Sequence, residues 1–298
     1  YNLGNYIESL EQGANILIQF GGGCRYGNYA ELQKIILKDL HYEFEFYEFI
    51  NKGKTNFNYI YKTFKNINQE LTKTNLLKNF IITFIKIILF DKTENYNRKK
   101  VQKNYQELKK IKYKFINELK NETNIIKILK ITHKYQKKYK KIKKIKPKLK
   151  IGIIGELYTA MEPSSTYNLE EELKKQNISI KRFTNISYLL IYKKILSPYI
   201  KLKTKKYLKY KQGADATDNI YRALLLKKKK YDGIIHTKPF GCTPEVGITP
   251  ILNRISREKQ IPIIYLSFDT QTSNTGIKTR LEAFTDMLQM RKENKNEK

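Results

Sequence analysis

The chain has 298 residues, with 59 Lys and Arg against 28 Asp and Glu, for a net charge of +31. This length suffices for two domains, and two cysteines exclude a disulfide framework and favour a reducing compartment. The longest apolar stretch, residues 80–90, contains a lysine and is too short to span a bilayer, and residues 1–15 do not resemble a secretory signal. We therefore predict a cytoplasmic protein.

The positive charge does not by itself indicate a nucleic-acid-binding protein. Of the 59 basic residues 51 are Lys and only 8 are Arg, whereas nucleic-acid recognition favours the arginine fork. An AT-rich coding sequence would produce the same usage of Lys, Asn and Ile. Residues 98–150 nevertheless hold 21 Lys and Arg against three Glu, a net charge of +18. A solvated surface and a polyanion-binding surface both remain open for this segment.

Residues 1–50 show the pattern of an α/β lobe. A helix is predicted over 5–12, an apolar strand over 14–20 and a turn at the sequence GGGC. Alternating aromatic and acidic residues over 41–49 predict a second strand. Between them, apolar residues at helical spacing predict a helix that contains Leu32, Ile35, Ile36 and Leu40.

Residues 55–147 contain no Gly, and their only Pro is Pro147. Apolar residues recur there at intervals of three and four, which predicts a helical, lysine-rich insert. The lysine run at its end is interpreted as a solvated helix face or a linker.

From residue 148 onward, strands and helices alternate. Strands are predicted near 149–159, where a glycine turn is included, and near 178–183, 231–237 and 261–269. Helices are predicted over 168–176, 185–212, 216–230, 244–258 and 275–290. This alternation is typical of a parallel sheet with right-handed crossovers. We therefore predict an α/β protein with two lobes of parallel sheet and a helical segment between them. The three predicted parts are an N-terminal lobe at 1–54, the insert at 55–147 and a C-terminal lobe at 148–298.

Both cysteines follow an apolar run and a glycine. Cys24 follows the predicted strand 14–20, and Cys242 follows the predicted strand 231–237, 218 positions further along the chain. The carboxyl ends of parallel strands form the edge at which α/β sheets bind ligands. The two thiols could therefore act together in metal ligation or redox chemistry. The alternative, that both are small buried apolar residues, also remains open.

The residues around each cysteine suit a ligand. Gly21, Gly22 and Gly23 would let backbone N–H groups approach a bound group closely, which is the favoured interpretation, with a simple tight turn as the alternative. This loop is not a phosphate-binding Walker loop, since no Lys-Ser/Thr pair follows at the required spacing. On the other side, Gly241 precedes Cys242, and Pro244 is suited to the first turn of a helix. His236 could enter the same crevice or be a hydrogen-bonded residue at the end of its strand.

Several motifs, in order, resemble the 2-hydroxyacyl-CoA dehydratase component family, most closely its small stand-alone branch of CoA protein activase-related proteins. The motifs are LGNYIESLEQGAN, GGGCRYGNYAELQKIILKDL, KIGIIGELYT, YDGIIHTKPFGCTPE and TGIKTRLEAFTDML. They cover roughly residues 1–50 and 148–290, and the lysine-rich middle contains none of them.

The resemblance implies two Rossmann-like lobes that hold an oxygen-sensitive iron–sulfur cluster, of 4Fe–4S or double-cubane type, in the cleft between them. Cys24 and Cys242 match two of three cysteine ligands, with Gly21, Gly22, Gly23 and Gly241 as the glycines that allow close approach. The third cysteine of the family lies just ahead of the LGNY stretch, so we expect it upstream of Tyr1. The family often has Gly-Gly-Cys-Gly-Pro-Cys-Arg in its first loop, whereas this chain has one cysteine there and no proline.

The resemblance also implies a function. An ATP-hydrolysing iron–sulfur activator protein would supply low-potential electrons, and the chain would use them anaerobically on a 2-hydroxyacyl-CoA or another small molecule. The chain lacks the activator's phosphate loops, so we do not expect it to hydrolyse ATP. An oligomer of one or two chain types is compatible with the family, and neither a membrane nor nucleic acid is the expected partner. The alternatives are a non-enzymatic polyanion-binding module and a degenerate family member without a cluster.

Overall fold

The computed structural model describes residues 2–19, 28–49, 56–210 and 212–296. The chain forms two compact units, Tyr1–Ile81 and Ile82–Lys298. The predicted division into three parts stays a prediction.

The first unit contains a small parallel sheet. Strands β1 (Ile16–Gln19) and β2 (Glu45–Glu48) pair in parallel, with Ile16 opposite Glu45. The helices are α1 (Asn2–Glu11), α2 (Tyr29–Asp39), α3 (Phe57–Ile67) and the beginning of α4 (Lys73–Lys99). This parallel pair, connected through a helix, confirms the α/β pattern predicted for residues 1–50.

The lysine-rich segment is helical, as predicted. After α4 come α5 (Tyr105–Lys120) and α6 (Ile125–Lys141), and the side chains of Asn104 and Asn124 cap their amino termini. Phe115, Tyr135 and Tyr139 form the centre of a buried cluster between these helices. The sequence did not predict one short antiparallel pair, β3 (Val101–Gln102) with β4 (Lys144–Ile145).

The second unit contains a four-stranded, fully parallel sheet. Its strands are β5 (Lys150–Gly155), β6 (Ser179–Arg182), β7 (Gly233–Pro239) and β8 (Ile263–Phe268), in the spatial order β6-β5-β7-β8. The remaining helices are α7 (Leu157–Met161), α8 (Leu169–Lys175), α9 (Lys193–Thr204), α10 (Ala216–Lys228), α11 (Thr243–Gly247), α12 (Thr249–Lys259) and α13 (Asn274–Asn296). A 3-10 turn spans Ser164–Thr166, and a π-helical turn spans Tyr188–Tyr192.

Hydrophobic clusters cover both faces of this sheet. Alternate strand residues point to opposite faces, so Ile153 packs with α8 and α13, whereas Ile154 packs with α10 and α12. Strands covered on both sides are apolar throughout, which explains why the sequence predicted β5 and β7 as continuous apolar runs. The predicted α/β class with parallel sheets is confirmed.

Two predicted helices differ in detail. The helix expected over 244–258 is divided at Ile248, where α11 ends and α12 begins. Pro250 lies in the first turn of α12, and its ring and missing N–H would break a continuous helix at this position. The helix expected over 185–212 begins with the π-helical turn, and its α-helical part ends at Thr204.

Candidate functional site

The candidate site lies where the strand order of the larger sheet reverses. The chain passes from β5 to β6 on one side and then returns to β7 on the other side of β5. In open α/β sheets such a reversal leaves a crevice at the carboxyl ends of the two diverging connections, and ligands bind there. The residues that follow β5 and β7 therefore lie at this edge of the sheet.

Gly155 closes β5 against β7. Its φ of +142° is a conformation that residues with a side chain rarely adopt. A Cβ on Gly155 would lie 1.9 Å from the backbone oxygen of Thr237 on β7. The close approach of the two strand ends thus requires glycine at this position.

Glu156 follows directly and acts as a helix cap. Its carboxylate accepts hydrogen bonds from the backbone N–H groups of Tyr158 at 2.9 Å and Thr159 at 2.8 Å. These bonds satisfy amino-terminal N–H groups of α7, as is typical of a capping residue. The structure therefore assigns Glu156 the role of a helix cap.

Cys242 lies three residues after the end of β7, immediately before α11. It is partly buried, and its backbone N–H donates to the carbonyl of Pro239 at 3.2 Å. Beside it, a Cβ built on Gly241 would meet no heavy atom of the described residues within 4 Å. Among the described residues, the carboxyl edge of the sheet therefore has room for a side chain at Gly241, next to Cys242.

A buried polar network lies beneath the Cys242 turn. Glu245 of α11 is 1% exposed, and its Oε2 is 2.7 Å from Nε2 of the fully buried His236 on β7. The side-chain amide of Asn219, on α10, donates to both carboxylate oxygens of Glu245 at 3.0 Å and to the carbonyl of Gly155 at 3.0 Å. The ends of β5 and β7 are thereby joined to α10 and α11. His236 is a hydrogen-bonded strand residue, one of its two predicted interpretations.

Arg222 supports this network from the side. Its Nη1 donates to Oδ1 of Asn219 at 2.9 Å and to the hydroxyl of Thr184 at 2.8 Å, and its guanidinium lies 4.8 Å from the ring centre of Tyr188. Because the carbonyl of Asn219 faces Arg222, its NH2 group is turned toward Glu245. Burial of such polar groups is tolerated when they are hydrogen-bonded to one another.

The predicted site residues divide into two groups. Gly241 and Cys242 lie together at the carboxyl edge, whereas Cys24, Gly21, Gly22 and Gly23 lie outside the described residues. The pairing of the two cysteines therefore stays a prediction.

Within residues 2–19, 28–49, 56–210 and 212–296, no three His, Cys, Asp or Glu side chains are grouped as a metal site. No helix among these residues is long and apolar enough to cross a membrane.

In a comparison with family models, residues 49–288 match the model described as 2-hydroxyglutaryl-CoA dehydratase, D-component. The chain belongs to this family. The family predicted from the sequence motifs is thereby confirmed. The matched range includes the helical segment as well as the four-stranded sheet. A search of curated proteins found no match to the chain.

The described residues fit part of the ligand set that such a family implies. Iron–sulfur clusters are held by cysteine thiolates, and backbone N–H groups close to the sulfurs influence their potential. Cys242 has a thiol at the sheet edge, next to Gly241. The described part of the chain thus contains one residue whose side chain has the required chemistry.

Proposed function

We propose that the chain is a dehydratase-type component that holds an iron–sulfur cluster at the carboxyl edge of its larger sheet. It accepts low-potential electrons from an ATP-dependent activator protein and uses them in reductive or dehydratase chemistry. Family membership supports this proposal. The single observation that carries it is the position of Cys242, at the end of β7 beside the reversal of strand order.

The residues take distinct roles in this proposal. Cys242 is a thiolate ligand and Cys24 a second one, while Gly241 leaves room for the cluster beside the backbone. The cluster, when bound, supplies one-electron transfer. His236, Glu245 and Asn219 hold the first turn of α11 in place and so position the Cys242 thiol. The substrate is an acyl-CoA or another small molecule.

The experiment is anaerobic reconstitution of the full chain with iron and sulfide, followed by analysis of both elements. The unaltered chain is expected to bind them stoichiometrically, and Cys242→Ala is expected to lose most of both. Val246→Ala is the matched control, because Val246 is exposed on the same short helix and lies outside the buried network. If the unaltered chain stays colourless and free of iron, the proposal is rejected. The chain would then be a member of the family that has no cluster.

One observation favours the second candidate function, polyanion binding. Most lysines of α5 and α6, such as Lys110, Lys130 and Lys137, are exposed, so the segment presents a dense positive surface. Affinity for a polyanion such as heparin would then fall steeply with salt. Replacing these three lysines by Glu would weaken polyanion binding at any given salt concentration, whereas Cys242→Ala would leave the binding unchanged. Salt-independent or absent binding excludes this candidate.

A further inference from the structure

A cavity of about 770 Å³ lies between α4, α5 and the segment from α7 to β6. Small-molecule sites in proteins have volumes of roughly 300–1,000 Å³. The residues that line the cavity fall between 86 and 186, so none of them belongs to the turn of Gly241 and Cys242. The cavity is therefore built from a different set of residues than the candidate cluster site.

Buried charges form one wall of this cavity. Glu170 lies between two guanidinium groups, with Arg98 Nε 2.8 Å from its Oε2 and Arg182 Nη1 2.9 Å from its Oε1. Burial alone would raise the pKa of Glu170, but the charges of Arg98 and Arg182 hold it below its ordinary value. Next to them, Lys112 Nζ lies 2.7 Å from the carboxylate of Glu94. All five residues line the cavity.

The charges of this wall do not balance when Lys174 is protonated. Lys174 Nζ donates to the backbone carbonyls of Asn97, Arg98 and Lys100 at the end of α4, and burial lowers its pKa to about 7. Below that pH the lining of the cavity holds three more positive than negative charges. The seven cations are Lys86, Arg98, Lys109, Lys112, Lys120, Lys174 and Arg182, and the four carboxylates are Asp91, Glu94, Glu170 and Glu171.

Two donors of the wall also lack acceptors. Nη1 of Arg98 and Nε of Arg182 are buried and have no hydrogen-bond partner among the residues that the structure describes. Both arginines are more than nine-tenths buried and border the cavity. A buried donor without an acceptor costs free energy, and an anion in the cavity would remove this cost.

Most of the remaining surface of the cavity is apolar and partly aromatic. This surface would accept a hydrophobic body that carries a ring. The side chains that form it include Ile87, Phe90, Tyr105, Leu108, Tyr113 and Ile116.

We propose that this cavity binds a small organic monocarboxylate, with its carboxylate against Arg98 and Arg182 and its apolar body against Phe90, Tyr105 and Leu108. The two N–H groups without acceptors, one on each arginine, match the two oxygens of a single carboxylate. A phosphate monoester would bring a second negative charge next to Glu94 and Glu170. The site is independent of whether a cluster binds at Cys242.

The test uses calorimetric titration of the full chain with 4-phenylbutyrate, at a pH about one unit below the pKa of Lys174. We expect saturable binding with a dissociation constant of about 1 mM or tighter. The matched alcohol, 4-phenylbutan-1-ol, has the same ring and chain without the charge and is expected to bind at least about tenfold more weakly. This comparison uses the unaltered chain and does not depend on the folding of any variant. Equal binding of acid and alcohol, or no binding of the acid, overturns the proposal.

Two substitutions at the mouth locate the site. Ile116→Trp, at a position that is 40% exposed, is expected to obstruct the cavity and weaken 4-phenylbutyrate binding by at least about tenfold. Lys114→Trp is the control, because Lys114 is exposed on the same helix and does not line the cavity. Should Ile116→Trp fail to fold, Tyr113→Glu at a 68% exposed mouth position should weaken binding of the acid but not of the alcohol. Unchanged binding in a folded mouth variant overturns the assignment to this cavity.

Discussion

Two buried polar regions of the second unit differ in what they hold in place. Beneath Cys242, the side chains of His236, Glu245 and Asn219 bond to one another and to the end of β5. Around Glu170, two arginines share one carboxylate and border a cavity. The first arrangement fixes the backbone that carries a thiol, whereas the second borders a cavity that has room for a ligand. Both regions contain buried polar atoms without a partner in the described part of the chain, so buried polarity alone does not identify a binding site, and the neighbouring cavity makes the difference.

The largest expected effect concerns the strand end beneath Cys242. Gly155→Ala would place a methyl group 1.9 Å from the carbonyl oxygen of Thr237 and would keep a φ that disfavours side chains. We expect the free energy of unfolding, measured by chemical denaturation, to fall by about 3 kcal/mol or more.

Gly241→Ala is the matched control for this change. A Cβ there meets no heavy atom of the described residues within 4 Å, so we expect a change below about 0.5 kcal/mol. Equal losses for the two alanines would contradict the account of the sheet edge. A stable Gly241→Ala chain that binds less iron would show that this glycine serves the cluster and not the fold.

A smaller loss of unfolding free energy is expected when the buried network of His236, Glu245 and Asn219 is disrupted. Glu245→Ala leaves the amide of Asn219 and the ring nitrogen of His236 buried without their acceptor, which should cost about 2 kcal/mol of unfolding free energy. Glu258→Ala removes an exposed carboxylate that pairs with Arg254 and should cost less than about 1 kcal/mol. If both variants lose the same small amount, the buried network does not hold α11.

In the region around Glu170, the contribution of Lys174 to the free energy of unfolding is expected to depend on pH. Burial lowers the pKa of Lys174 to about 7, while the unfolded chain retains the ordinary value of 10.5. Between these values the unfolded state binds more protons at Lys174, so this residue makes stability rise with pH, by at most about 1.4 kcal/mol per unit. Below pH 7 both states are protonated and this contribution is constant.

The measurement is the difference in unfolding free energy between the unaltered chain and Lys174→Met across that window. Other lysines titrate in both proteins and cancel in the difference. A difference that does not change with pH would show that Lys174 keeps its ordinary pKa in the folded chain.

The sequence predicted the elements whose signals are local. Continuous apolar runs marked β5 and β7, and the position of Cys242 directly after such a run placed it at the carboxyl edge. The division of α11 from α12 was missed, although Pro250 carries the signal. The pattern of residues 55–147 predicted helices but not the pairing of two-residue strands, which depends on contacts between distant segments.

The networks could not be predicted, because their members are far apart in the chain. Asn219 and Arg222 belong to a helix whose sequence gives no sign that its polar side chains are buried, and Asn219 meets Gly155 64 positions away. Arg98 and Glu170 are 72 positions apart and looked like ordinary surface charges. Only the folded arrangement shows that these residues share a partner.

The central claim is that the thiol of Cys242 binds an iron–sulfur cluster. Electron paramagnetic resonance of the anaerobically reconstituted and reduced full chain tests it most directly, with Cys242→Ser beside Val246→Ala. We expect an iron–sulfur signal in the unaltered chain and in Val246→Ala, and a lost or altered signal in Cys242→Ser, where an oxygen replaces the sulfur. The same signal in all three proteins would show that any cluster is bound elsewhere, and no signal in the unaltered chain would show that none is bound.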